Sequence, residues 1–380
     1  MKSQAFNLKN IYKLPWTTFN NPNGWIEPTT YCQLACPGCY RGLSLPNHQK
    51  IHYSLAKLKK EIDHLIKIRK IKILAIAGGE PLLYPKLEQL IRYARSKGLK
   101  VRIVTNGAAL TVDRLNKLKK AGVTEVAIHV ASYQNRLLDS DENKLNLLRL
   151  KYCQMFRQVD NVILNFIITV SRKNITQLPV ILNFYQENSD IVNRVLFTLY
   201  RDFFFEKNHK ENTKNYVSIK RLAEIIAKTY KVHPCAYLGR TQNTNNPSWL
   251  FYAPILLGNK TIGYANGETV KKLHQNTSTD QWDAFPARES TRSLLETITY
   301  LSLTNARDIF MGYLTQIINN PKYLFKLPKI QILILINTPR YTKQGWDFCD
   351  GCPDPVLYHR KLVPSCLLER VKNGENIMLN

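Results

Sequence analysis

Apolar runs and helical stripes alternate along the first half of the chain. Short runs of apolar and β-branched residues, each a predicted buried strand, lie at 23–29, 73–77, 101–104, 126–130, 162–170 and 194–200. Between them, apolar residues recur at helical spacing, as in Leu55, Leu58 and Ile62 behind the capping residue Ser54. Six strand–helix units in sequence predict an α/β fold, a partial (β/α)6 TIM-like barrel with ligands at the carboxyl ends of its strands.

The alternation is lost after residue 202. One helix is predicted near Ile219 to Tyr230 and another over 293–318. Residues 322–329 are basic and aromatic, and residues 330–336 are apolar. This stretch predicts either a surface that lies on a membrane or a buried strand reached through a basic turn, and the buried strand is favoured.

The composition is that of an ordinary globular protein, with 44% hydrophobic and 22% charged residues among 380. No run of about 18 apolar residues and no signal-peptide cleavage pattern occurs, which predicts a cytoplasmic protein. Lys and Arg number 54 against 28 Asp and Glu, a net charge of +26. Such a charge favours nucleic acid or an anionic membrane surface as a partner, with peripheral membrane association; a solvated lysine-rich surface is an equal alternative.

Six of the eight cysteines form two tight groups, which is metal-site spacing rather than a disulfide framework. The first group is Cys32, Cys36 and Cys39, directly after the first predicted strand. Three such thiolates can hold three irons of a 4Fe-4S cube and leave the fourth iron open to a ligand. The alternative is a structural zinc site completed by a distant residue such as His52.

A second motif, Gly78-Gly79-Glu80-Pro81, ends the next predicted strand. Two glycines let a backbone approach a ligand closely, and a carboxylate can accept hydrogen bonds from an ammonium group. Together the cysteine spacing and this motif resemble those of the radical S-adenosylmethionine (SAM) enzymes. The resemblance implies that Cys32, Cys36 and Cys39 hold a catalytic 4Fe-4S cluster and that residues 78–81 cradle the methionyl amino group of SAM.

The same resemblance extends to weaker positions. Thr105 and Asn106, which end the third predicted strand, correspond to the family's contacts with the SAM carboxylate and ribose, and Ser132 corresponds to its serine after the fourth strand. Gly38 stands where the family usually has a bulky residue, so Tyr40 is the candidate adenine contact. An external electron donor such as flavodoxin or ferredoxin is implied as a partner.

The second cysteine group is Cys349, Cys352 and Cys366, which again suits a 4Fe-4S cube with one spare valence. This spacing resembles the auxiliary-cluster region of the molybdopterin GTP 3′,8-cyclase, although the arginines and Gly-Gly tail of that enzyme are missing here. Zinc is again the alternative. Cys235 is a candidate fourth ligand for either metal, with an inert buried thiol as its other interpretation.

The sequence therefore predicts a radical SAM oxidoreductase or transferase with two 4Fe-4S clusters and an unidentified substrate, with a peptide or a small molecule favoured over RNA or a membrane lipid. A rival hypothesis is a zinc-stabilised basic binding protein without catalytic activity. The predicted parts are an N-terminal lead-in, a core barrel, a mixed α/β insertion or connector and a C-terminal auxiliary-cluster region, at residues 1–22, 23–202, 203–344 and 345–380.

Overall fold

The computed structural model describes residues 6–45, 48–132, 134–136, 141–204, 213–276, 294 and 297–379. Its central element is a ten-stranded sheet. The strands of the structure are β1 Tyr12–Lys13, β2 Asn23–Thr29, β3 Ile73–Gly78, β4 Lys100–Thr105, β5 Glu125–His129, β6 Ile163–Val170, β7 Val192–Leu199, β8 Ala236–Leu238, β9 Trp249–Tyr252, β10 Pro254–Leu257, β11 Lys260–Tyr264, β12 Lys329–Ile330, β13 Ile332–Ile336, β14 Arg340–Thr342, β15 Gly345–Asp347, β16 Pro355–Tyr358 and β17 Lys361–Pro364.

Helices connect or follow these strands. They are α1 Leu55–Arg69, α2 Leu87–Ser96, α3 Val112–Ala121, α4 Glu142–Gln158, α5 Leu178–Glu187, α6 Ile219–Tyr230, α7 Gly267–Asn276, α8 Leu303–Asn319 and α9 Leu368–Lys372. The predicted caps are confirmed, because the Ser54 hydroxyl accepts a hydrogen bond from the Lys57 amide and Thr111 caps α3 in the same way. Gly122 ends α3 with a φ of 108°, a conformation that favours glycine.

The sheet order is β1-β8-β9-β13-β7-β6-β5-β4-β3-β2. Strands β2 to β7 are parallel neighbours in chain order, which confirms the predicted α/β class and its strand–helix alternation. The sheet stays open, since β1 and β2 stand at its two ends within the described ranges. It is therefore a partial barrel, as predicted.

The sheet continues beyond residue 202. Strand β13 pairs in parallel with β7, and β9 pairs antiparallel with β13. The buried strand favoured for residues 330–336 is thus confirmed, whereas the residues just before it are exposed. The predicted helix at Ile219–Tyr230 is confirmed. In the other predicted helix, residues 293, 295 and 296 lie outside the described ranges, and α8 begins at Leu303.

The last part of the chain returns to the start of the sheet. Strands β16 and β17 form a hairpin whose Val356 and Val363 pack with Leu368 of α9 against Trp25 of β2. The C-terminal cysteine turn lies beside the residues that precede β2, since the Asn21 side chain donates to the Gly351 carbonyl at 3.3 Å. Within the described ranges, no helix is long and apolar enough to span a bilayer.

Candidate active site

A cavity of about 510 Å³ opens at the inner face of the parallel strands. Its walls include small and apolar side chains of β3, β5 and β13, among them Ala75, Ala127 and Ile334. Both cysteine groups line it: Cys32, Cys36, Cys39, Cys349, Cys352 and Cys366. Residues more than 300 positions apart in the sequence are therefore brought to one space.

The first cysteine loop follows β2 directly. Its second half is a turn in which the Cys39 amide donates to the Cys36 carbonyl at 3.2 Å and Gly38 takes a φ of 72°. Burial raises the pKa of all three thiols, and the neighbouring Cys39 and Cys32 help to raise that of Cys36 to about 12. Each of these thiols must release its proton when it binds a metal.

The ring of Tyr200 explains why glycine, and not the bulky residue usual in the family, stands at position 38 before the third cysteine. A Cβ atom on Gly38 would lie 2.2 Å from the ring of Tyr200, which follows β7 and also lines the cavity. Tyr40, the predicted adenine contact, lines the cavity too, and its hydroxyl donates to Glu27 at 3.3 Å. No local pattern points to Tyr200, because this contact joins residues far apart in the chain.

The two glycines of the second motif allow the backbone at the end of β3 to contact the backbone just before the cysteine loop. Gly78 has a φ of 99°, and a Cβ on Gly79 would lie 2.3 Å from the Tyr31 carbonyl oxygen. The Gly79 amide donates to the Thr29 carbonyl at 2.8 Å, and the Glu80 amide donates to the Tyr31 carbonyl at 2.7 Å. Both glycines line the cavity, which leaves their backbone next to any ligand there.

Glu80 and Pro81 lie behind the cavity wall rather than in it. The Glu80 carboxylate is fully buried and accepts hydrogen bonds from the Thr105 hydroxyl at 2.6 Å, the Asn106 amide at 2.8 Å and the Leu82 amide at 3.0 Å. Burial raises the pKa of Glu80, and these donors oppose that rise. The carboxylate therefore joins the ends of β3 and β4, a contact that its sequence motif does not reveal.

Asn106 connects this network to the first cysteine loop. Its side-chain amide donates to the Cys32 sulfur at 3.5 Å, and both Thr105 and Asn106 line the cavity. Ser132 lines the cavity as well; its hydroxyl accepts from the Asn174 amide at 3.1 Å and its backbone amide donates to Glu142 at 2.9 Å. All three predicted positions are thus gathered at the carboxyl ends of neighbouring strands.

His129 sits beside them on β5 and contacts the Thr169 hydroxyl at 3.1 Å through its Nε2 atom. Burial lowers the pKa of this imidazole to about 4, with Arg136 as a further cause. The ring is therefore neutral near pH 7 and presents a polar group, not a charge, to the cavity.

The second cysteine group repeats the turn of the first. Gly351, between Cys349 and Cys352, also has a φ of 72°, and a Cβ there would lie 2.2 Å from the Trp16 carbonyl oxygen. Burial raises the pKa of all three thiols of this group. Asp354 lies beside them, and burial raises the pKa of its carboxyl to about 6.

Two buried arginines hold the C-terminal segment against the amino-terminal half of the chain. Arg41, two residues after Cys39, pairs with Glu27 at 2.6 Å and with Glu369 of α9. Arg69 at the end of α1 donates to the Cys352 carbonyl at 3.2 Å and to the Thr18 carbonyl. Arg41 thus links the residues just after the first cysteine loop to α9, and Arg69 links the end of α1 to the second cysteine loop.

Charged side chains also line the amino-terminal end of the cavity. Arg102 and Arg194 both line it and pair with Glu125, at 2.7 Å and 3.4 Å. Burial alone would raise the pKa of Glu125, but the two arginines lower it to about 2. Arg102, Glu125 and Arg194 lie on three different strands, β4, β5 and β7. That their side chains meet could be recognised only once the register of these strands was known.

Cys235 stands apart from both cysteine groups. Its buried thiol donates to the Phe251 carbonyl at 3.3 Å, and it does not line the cavity. Within the described ranges, no three His, Cys, Asp or Glu side chains converge closely enough to hold a single metal ion. A cube is larger than one ion and takes its cysteines further apart, so this spacing is compatible with clusters.

The chain matches the Radical SAM superfamily over residues 26–184. The matched region holds the first cysteine loop, both glycines of the second motif and Ser132. The family implies a 4Fe-4S cluster and SAM, and three thiols and two glycines that line one cavity fit these two groups.

Curated relatives match part of this chain. The AdoMet-dependent heme synthase of Methanosarcina barkeri is 36% identical over 104 residues, 27% of this chain and 29% of that protein. The PqqA peptide cyclase of Bradyrhizobium diazoefficiens is 29% identical over 156 residues, 40% of each chain. A dihydropterin dimethyltransferase of Methanocaldococcus jannaschii is 29% identical over 185 residues, 45% of this chain and 35% of that protein. The chain spans less than half the length of these curated relatives.

Solved structures resemble about half of this chain distantly. SuiB of Streptococcus suis bound to S-adenosylmethionine has 18% identity and a TM-score of 0.43, covering 55% of this chain and 47% of that one. Methylornithine synthase has 16% identity and a TM-score of 0.39, covering 56% of this chain and 63% of that one.

Proposed function

We propose that this chain is a radical SAM enzyme whose first cluster is held by Cys32, Cys36 and Cys39. The observation that carries the proposal is the shared cavity, which these thiols line together with Gly78 and Gly79. When bound, the cluster and SAM supply the one-electron cleavage that yields a 5′-deoxyadenosyl radical, which takes a hydrogen atom from the substrate.

The chain's own residues position the reactants and keep water away. The backbone of Gly78 and Gly79 offers a close approach for the methionyl end of SAM, and Asn106 orients Cys32 through its hydrogen bond to the sulfur. Thr105 and Ser132 contribute less to the positioning of SAM. Tyr40 and Tyr200 are the aromatic candidates for the adenine, since both line the cavity. Apolar walls such as Ala75 and Ile334 limit solvent around a reactive radical.

A second 4Fe-4S cluster held by Cys349, Cys352 and Cys366 belongs to the same proposal. Its thiols line the same cavity as the first group, so this cluster either binds the substrate or receives an electron after hydrogen abstraction. Cys235 is left out of this ligand set, because its thiol contacts Phe251 outside the cavity wall.

The substrate is a peptide or a small molecule. Two lines of support are the match to PqqA peptide cyclase and the matches to proteins named for haem synthesis and pterin methylation. An external one-electron donor, such as a flavodoxin or ferredoxin, supplies the electron that the first cluster needs.

Anaerobic reconstitution tests the proposal directly. We expect a brown protein with about eight irons per chain and release of 5′-deoxyadenosine when SAM and dithionite are added. Replacing Cys32, Cys36 and Cys39 by Ala should leave about four irons and abolish that release, while Cys153→Ala, in α4, should change neither. Colourless protein with stoichiometric zinc would instead support the binding-protein hypothesis.

A further inference from the structure

Helix α8 packs on the small sheet of β10, β11 and β12 with its small side chains inward. A Cβ on Gly312 would lie 2.2 Å from the Ile262 carbonyl oxygen, and a Cβ on Gly263 would lie 2.4 Å from the side chain of Ile309. The helix and strand β11 are therefore in close backbone contact. This contact fixes which face of α8 is directed away from the protein.

The outward face carries several large apolar side chains among its exposed polar ones, which is unusual for a surface helix. Its exposed side chains recur at helical spacing, and the exposure continues into the short 3-10 turn that follows. The members, here named the apolar strip, are Leu303 (92% exposed), Phe310 (58%), Met311 (53%), Ile318 (79%), Leu324 (58%), Phe325 (89%) and Leu327 (68%). Seven neighbouring large apolar side chains exceed the scattered exposure that is normal on a soluble surface.

The 3-10 turn is held in place rather than collapsed onto the protein. The Tyr323 hydroxyl donates to the Asn259 side chain at 2.9 Å, and the Tyr323 ring lies against Gly258 in the turn between β10 and β11. With Tyr323 anchored, Leu324 and Phe325 point to solvent. The apolar strip is thus displayed by a defined structure.

Positive charge accompanies the apolar strip. Lys322 and Lys326 flank its exposed aromatic end, Lys329 follows, and exposed Lys260 lies on the adjoining β11. The helix itself carries the exposed pair Arg307 and Asp308. In the sequence, no Asp or Glu occurs between positions 308 and 347. Apolar side chains beside lysines are the composition that binds anionic lipid surfaces.

We propose that the apolar strip and its lysines bind the surface of an anionic phospholipid membrane, with α8 lying in the plane of the headgroups. The apolar residues enter the boundary between headgroups and acyl chains, while Lys322 and Lys326 contact lipid phosphates. A neutral protein surface would match the apolar part but would leave the lysines without opposite charges. This proposal goes beyond the proposed radical chemistry and does not depend on it.

Vesicle flotation of the reconstituted holoprotein tests the proposal. We expect binding to vesicles of phosphatidylcholine with about one-third phosphatidylglycerol, weak binding to phosphatidylcholine alone, and weaker binding at high salt. The double variant Lys322→Gln/Lys326→Gln should bind about 25-fold more weakly, because each lysine near such a surface contributes roughly a factor of five. Phe325→Ser/Leu327→Ser should lose at least about tenfold although its charge is unchanged.

Matched controls come from other surfaces of the chain. Lys60→Gln/Lys120→Gln removes the same charge from exposed positions on α1 and α3, and Leu147→Ser removes a side chain on α4 that is 70% exposed. Each control variant should bind vesicles within about twofold of the unmodified protein, once the small loss that any two removed positive charges cause is allowed for. Release of 5′-deoxyadenosine without vesicles should be the same in all these variants, which separates a folding defect from lost binding.

Three results would overturn the proposal. The first is no preference for anionic vesicles. The second is a concentration-dependent dimer in light scattering that Phe325→Ser/Leu327→Ser abolishes, since the apolar strip would then bind a second copy. The third is slow hydrogen exchange across α8 in the free protein that deletion of residues 277–293 makes fast, since that segment of the chain would then cover the strip.

Discussion

Glu80→Gln is the substitution that best tests how the candidate site is held together. The carboxylate is fully buried and accepts three hydrogen bonds, two at one oxygen and one at the other. A glutamine has one accepting oxygen, so its NH2 group must face either the Asn106 amide or the Leu82 amide and the Thr105 hydroxyl. At least one buried donor then lacks an acceptor, which costs about 1–3 kcal/mol, and the remaining bonds lose the stronger attraction of a charged acceptor.

We therefore expect the free energy of unfolding to fall by about 2–3 kcal/mol. Because the entropy of unfolding is about 2.1 cal/mol/K per residue, 1 kcal/mol shifts the Tm of a 380-residue chain by about 1.3 °C, and the expected fall is roughly 2.5–4 °C. The assay is thermal unfolding of the anaerobic holoprotein at a fixed scan rate, with SAM binding measured in parallel. Glu88→Gln is the matched control, since its partly exposed pair with Arg114 is worth at most about 1 kcal/mol.

Two outcomes would refute this reasoning. If Glu80→Gln and Glu88→Gln have the same Tm, the hydrogen bonds of the buried carboxylate do not hold the ends of β3 and β4 together. If the variant melts normally but no longer binds SAM, the carboxylate acts on the ammonium group of SAM directly, as the sequence motif alone suggested.

Three further predictions follow from buried groups of the described structure. Gly351→Ala, at a positive φ with a carbonyl in the way, should lower the iron content from about eight to about four, whereas Gly374→Ala, with open space around it, should keep about eight. Arg149→Met leaves a fully buried carboxylate unpaired and should cost about 3–5 kcal/mol in urea unfolding of the apoprotein, while Arg157→Met, at an exposed pair, should cost less than about 1 kcal/mol. The pKa of His129 is lowered from 6.5 to about 4, so the unfolded chain takes up a proton first as the pH falls. The free energy of unfolding is therefore unaffected by this group above pH 6.5 and falls by about 3 kcal/mol as the pH is lowered toward 4. His129→Gln should flatten this dependence of the free energy of unfolding on pH. An unchanged pH profile in the variant would contradict the assignment.

The strands of the radical SAM domain could be predicted because their signals are local. The run from Ile73 to Ala77 is apolar throughout, as a strand buried on both faces requires, and Thr111 and Gly122 mark the two ends of α3. The first cysteine loop and the glycines of the second motif are short sequences whose chemistry does not depend on distant residues. For these elements the sequence pattern and the fold agree.

Contacts between distant segments could not be predicted. Strand β9, at Trp249–Tyr252, is only four residues long and acquires its place by pairing with β13, about 80 positions later. Likewise, Tyr200 fills the space beside Gly38, and the carboxylate of Glu80 faces inward to Thr105 rather than into the cavity. Each of these depends on strand register and packing, which a single local pattern does not encode.

The shared anchoring by Arg41 and Arg69 bears on the order of maturation. Their acceptors include Glu369 and the Cys352 carbonyl, which a ribosome adds long after the loop of Cys32, Cys36 and Cys39 has emerged. A nascent chain that stops before residue 347 would leave Arg41, two residues after Cys39, without Glu369, and Arg69 without the Cys352 carbonyl. We expect iron loading of the amino-terminal site to be delayed until late in synthesis, and a fragment ending at 346 that turned brown as readily as the whole chain would argue against such a delay.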